Sequence, residues 1–184
     1  TLAEPATTLT DYAITVEMLL FAVLLLQFSW VERFWAAAFA CVGVAAALGG
    51  TYHGFAEHLT YAQQVELWQG TVVALAWASF WPIVAVSWPC RRFWKFSTMI
   101  LAVSKLLLSL ALIRSNLGFA FRVLDYLSTL IIVIWVYGWQ SRQRQLPGLP
   151  WIVSGLVISF IAAGVLAVPG LPLGKLSPAA AYHL

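Results

Sequence analysis

The stretch 121–139, FRVLDYLSTLIIVIWVYGW, most constrains what this chain can fold into. It is almost wholly apolar, and its length suits a helix that crosses a bilayer, which takes about 20 such residues. It nevertheless carries Arg122 and Asp125 in its first turns. A charge in hydrocarbon is costly, so each needs a partner, a route to water or a function. The rest of the chain has the same character. Of its residues 62% are hydrophobic and 9% charged, and the mean hydropathy is +0.87. Soluble domains are roughly half apolar and about a quarter charged. No soluble core built from 184 residues absorbs that much apolar surface. The expected fold class is all-α, a polytopic membrane bundle of about six transmembrane helices in one domain.

The expected spans are 12–28, 34–52, 65–87, 96–113, 119–139 and 151–168. Residues 1–10 read as a short polar tail, with Asp11 placed to cap the first helix, since a carboxylate accepts from free N–H groups there. The second span is rich in Ala and Gly and ends in GGTYHGF, 49–55. Small residues let helix backbones approach closely, so this span is expected at the bundle centre. Pro82 should kink the third span. Residues 169–184 contain Pro169, Pro172 and Pro178 and read as an external Pro-rich tail rather than a seventh span. Cys41 and Cys90 form no CxxC pair, so neither a disulfide nor a thiolate metal site is expected.

Charge sets an orientation. Arg33, then Arg91, Arg92 and Lys95, then Arg142 and Arg144 fall on alternate turns, while the opposite side has Arg114 and Lys175. The positive-inside rule puts the first set in the cytoplasm and both termini of the chain outside, in what is expected to be a bacterial inner membrane. The net charge of +3 comes with no dense basic patch and no nucleic-acid motif. The expected partners are therefore membrane lipids and other membrane subunits, and not nucleic acid.

On that topology the intramembrane charges favour one leaflet. Glu17 lies ~8 Å below the outer end of its span and Lys105 ~14 Å below its own, by the helical rise. Arg122, Asp125 and Thr129 recur at i, i+3 and i+7 on one face of the fifth span. Thr98, Lys105 and Ser109 make a comparable stripe on the fourth. A short turn joins these two spans, so Lys105 and Asp125 are expected to meet, with Glu17 as a competing acid. Glu17, Lys105, Arg122 and Asp125 thus form a candidate buried polar cluster. Such a cluster fixes helix register, conducts a proton or solute, or carries chemistry; the sequence leaves all three open.

His53 closes the second span, and Glu66 opens the third. They are candidate metal or cofactor ligands: His53 toward zinc or, axially, a tetrapyrrole, with Glu66, Glu57 and His58 as the nearby groups. The order TDYAI at 10–14, then GGTYHGF, within an all-helical bundle resembles uncharacterised bacterial multispanning proteins. Those are distantly similar to the alkaline ceramidase and progestin/adiponectin-receptor superfamily of zinc-dependent membrane hydrolases. That resemblance implies a second-helix histidine at His53. The superfamily's serine position is Gly49 here, Glu66 stands where a third-helix Asp is expected, and residues 1–184 contain no HxxxH.

Three functions follow as expectations: a non-catalytic or accessory component of a larger membrane assembly; a zinc-dependent hydrolase of lipid amides or esters; or a small transporter or proton conductor using Lys105, Asp125 and Glu17.

Overall fold

The computed structural model describes residues 2–113 and 118–144, together with 150, 151, 153–155, 157, 158 and 161. Its helices are α1 (Pro5–Leu25), α2 (Trp30–Phe55), α3 (Tyr61–Ser87), α4 (Arg92–Ala111) and α5 (Gly118–Arg144), with a 3-10 turn Ala56–His58 between α2 and α3. No strand occurs among the described residues. Four helices, α1 to α4, are long and apolar enough to cross a membrane. The expected span 119–139 lies within α5, whereas 151–168 and the tail 169–184 fall mostly or wholly outside the described residues.

The first helix starts earlier than its hydropathy suggests. Pro5 occupies the first turn, where its missing N–H costs nothing. Two of the hydroxyls that make 7–10 look like a tail are satisfied within the helix: Thr8 Oγ1 donates to Glu4 O at 2.7 Å, and Thr10 Oγ1 to Thr7 O at 2.9 Å. Hydroxyls paired in this way do not interrupt the helix. Asp11 therefore sits inside α1 rather than capping it.

Local chemistry also sets the next two starts. Ser29 caps α2 by accepting from Val31 N, and its hydroxyl donates to the Glu32 carboxylate. Thr60 and Gln63 form a capping box at α3: Thr60 accepts from Gln63 N, and Gln63 Oε1 accepts from Thr60 N at 2.9 Å. Such reciprocal bonds satisfy two otherwise orphaned N–H groups.

α1 packs on α2, α2 on α3, and α3 on both α4 and α5; α4 and α5 touch each other only sparingly. The centre is thus α3 and not α2. The reason is which faces carry small residues. On α3, Ala74, Ala76, Ala78, Ser79, Pro82 and Ala85 are all buried, so several neighbours approach closely. On α2, Gly43, Gly50 and Gly54 lie at i, i+7 and i+11, one face, and that face is taken by α1.

The helices alternate in direction. Phe34 of α2 meets Trp88, just past α3, while Tyr52 meets Trp68 at the other end. Trp94 of α4 meets Trp135 and Trp139 of α5, and Gln140 Nε2 donates to Val86 O at 2.6 Å. Val86 O lies in the last turn of α3, where helix carbonyls lack intrahelical donors, so Gln140 ties α5 to that end. Arg33, Arg91, Arg92, Lys95 and Arg142 consequently gather at one end of the bundle. There Lys95 Nζ lies 3.4 Å from the Trp88 ring centre and Arg33 Cζ 4.6 Å from that of Trp30.

Candidate functional site

Two polar constellations occur toward the end opposite those cations, on different pairs of helices. The first joins α4 to α5. Lys105 Nζ lies 2.7 Å from Asp125 Oδ1, 3.1 Å from Asp125 O and 2.5 Å from Ser128 Oγ. An ammonium has three N–H donors. All three are taken by these contacts. Ser128 Oγ donates in turn to Asp125 O at 2.7 Å, and Thr129 Oγ1 to the same oxygen at 3.2 Å. The side chains of Lys105 and Asp125 are 16% and 10% exposed. Charge-assisted bonds of this kind are the strong ones, and they strengthen where water is scarce. Helical spacing builds the acceptor set, because Asp125, Ser128 and Thr129 stand at i, i+3 and i+4.

The second constellation lies in the α1–α2 interface. There the helices come close enough that a Cβ on Gly50 would lie 2.9 Å from Asp11 Cβ, and one on Gly54 2.8 Å from Thr8 Cγ2. Further along, Gly43 faces Leu19 and Met18. Thr7, Thr8 and Asp11 are buried in this seam, Asp11 to 3% exposure. Asp11 Oδ2 would lie 3.7 Å from a Cβ on Gly49. Tyr12 Oη and Thr51 Oγ1 are 3.0 Å apart. The single Thr51 proton goes to Ala47 O at 2.8 Å, so the tyrosine donates. At the rim, His53 Nδ1 is 3.5 Å from Glu4 Oε2, and Ala3 N donates to Gly54 O at 3.0 Å. The two segments TDYAI and GGTYHGF, far apart in sequence, are therefore packed against each other.

The structure brings Lys105 and Asp125 together, but Glu17 does not join them. It is exposed on α1, a helix that packs on α2 among the described residues. Arg122 lies in α5, and its side chain is outside what is described. His53 and Glu66 are not grouped as ligands. His53 faces Glu4, whereas Glu66 is exposed on α3. Among the described residues no three His, Cys, Asp or Glu side chains are placed to hold a metal. A zinc site takes about three protein ligands, so these residues do not fit the ion.

Sequence reasoning missed Asp11 as a buried carboxylate and Ser128 as an acceptor for Lys105. A signal existed for both. Thr7, Thr8, Asp11 and Thr15 repeat at helical spacing ahead of the apolar run, and Ser128 stands three residues after Asp125.

These features define a class: a bundle that is helical throughout its regular structure among the described residues, with four helices long and apolar enough to cross a membrane and polar side chains paired between helices. Within that class the chain belongs to a family of unknown function, DUF6962, whose profile matches residues 6–184. No curated protein and no solved structure matches the chain.

Proposed function

We propose that this protein is a non-catalytic component of a larger membrane assembly, seated in a bacterial inner membrane with its basic end in the cytoplasm and its N-terminus outside. The observation that carries this reading is the saturation of Lys105. Its three donors are held by Asp125 and Ser128, which leaves none over for a solute. A charge tied in this way fixes the register of two helices. The outer helices also present large apolar side chains away from the bundle, Val16, Leu20 and Val23 on α1 and Phe96, Ile100 and Leu107 on α4, surfaces that suit lipid or a neighbouring subunit. Isolation of the tagged protein in native-lipid particles tests the proposal. A second chain should co-purify at fixed stoichiometry. Single-component particles that conduct protons, with flux abolished by Asp125→Asn, would overturn it.

A further inference from the structure

At the end of the bundle away from the cationic rim, the surface where α2 meets the start of α3 carries an open hollow of about 410 Å³. Leu48 and Thr51 of α2, Leu59 before α3, and Gln63, Glu66 and Leu67 of α3 line it. The lining is divided. Three leucines offer an apolar wall, and the spacing of 63, 66 and 67 puts an amide, a carboxylate and a leucine on one face of α3. Gln63 Oε1 is occupied by Thr60 N and Oγ1, and Thr51 Oγ1 by Ala47 O and Tyr12, so these groups are fixed in place. Glu66 is different. Its carboxylate has no hydrogen bond or ion pair among the described residues, and the chain supplies no lysine or arginine between Arg33 and Arg91. The α2–α3 hairpin therefore holds an amphipathic hollow with a carboxylate and no cation of its own to neutralise it.

We infer that this hollow binds a primary ammonium group, the chemistry shared by an aminophospholipid headgroup and a free alkylamine. The ammonium donates N–H bonds to Glu66, and the methylenes next to it lie against Leu48, Leu59 and Leu67. A quaternary ammonium has no N–H to donate and binds more weakly. A headgroup of net negative charge, with no ammonium to offer Glu66, finds no cation in the lining and is disfavoured.

The test is lipid retention. Purified protein is equilibrated with vesicles containing equal parts phosphatidylethanolamine, phosphatidylcholine and phosphatidylglycerol, and the bound lipid is read by native mass spectrometry. Wild type should retain the ethanolamine lipid over each of the others by roughly tenfold, the scale of one charge-assisted hydrogen bond. Glu66→Gln should abolish that preference, and Glu57→Gln, an exposed carboxylate outside the hollow, should keep it. Dodecylammonium separates the two sources. If it binds in a Glu66-dependent way while the ethanolamine lipid does not, the site stands and its ligand is a free amine. Equal retention of all three lipids without Glu66-dependent dodecylammonium binding, an unchanged preference in Glu66→Gln, or an equal loss in Glu57→Gln would overturn the inference.

Discussion

The α1–α2 and α4–α5 pairs solve the same problem, holding two apolar rods together, in opposite ways. In α1–α2 the backbones nearly touch. Glycines on α2 admit Thr8 and Asp11 from α1, and small residues keep the contact continuous from Gly43 to Gly54. In α4–α5 the rods stand apart, each leaning on α3, and long side chains reach across. Lys105 spans the gap toward one end, and Trp94 meets Trp135 and Trp139 toward the other. Shape holds the first pair and would fail through crowding. A charge and a few rings hold the second, which would fail through the loss of a single partner. Lipid cannot drive two apolar helices together as water can, so a pair lacking close backbone packing depends on polar bonds.

The comparison can be broken where the bonds are fewest. Lys105→Ala should give the largest loss, about 3–5 kcal/mol, because it leaves the Asp125 carboxylate uncompensated. Reversible unfolding in a fixed detergent–lipid mixture measures it. Gly50→Ala tests the close pair. Its Cβ would meet Asp11 Cβ at 2.9 Å, and the crowding should cost about 1–3 kcal/mol in the same assay. A neutral result would mean that α1 is not held by backbone approach. Ser128→Ala takes one acceptor from Lys105 and should cost about 1.5 kcal/mol, with the bundle otherwise intact. Gln140→Leu, which takes the amide donor from Val86 O and leaves it the weaker Cys90 thiol, should cost the least, about 1 kcal/mol, and should appear first as faster amide exchange at the end of α3.

The two pairs were also unequally legible in the sequence. The α4–α5 contact could be read because it is a pattern of charge. Asp125 and Lys105 stand out in apolar runs, and the short turn between those runs implies antiparallel neighbours. Glu17 could not be sorted from them. Depth along a helix does not tell which neighbour that helix packs against, and α1 turned out to lie beyond α2. The α1–α2 contact is a pattern of absences. Its glycines read as generic small-residue packing, and the Thr-rich segment 7–10 reads as a tail because hydropathy counts each hydroxyl as exposed. Within the helix two of those hydroxyls bond to carbonyls of the preceding turn, so polarity by composition is not polarity at the surface. The Ala and Gly content of α2 likewise suggested a central position, but composition does not say how many faces the small residues occupy.

The central claim is that Lys105 and Asp125 form a structural tie. A double-mutant cycle with Lys105→Met and Asp125→Leu, read as unfolding free energy in one lipid mixture, tests it most directly. Each single change should lose about 3–5 kcal/mol, while the double variant recovers most of that loss, since a matched apolar pair replaces a matched ionic one. Singles as stable as the wild type, or a double variant no better than the worse single, would contradict it.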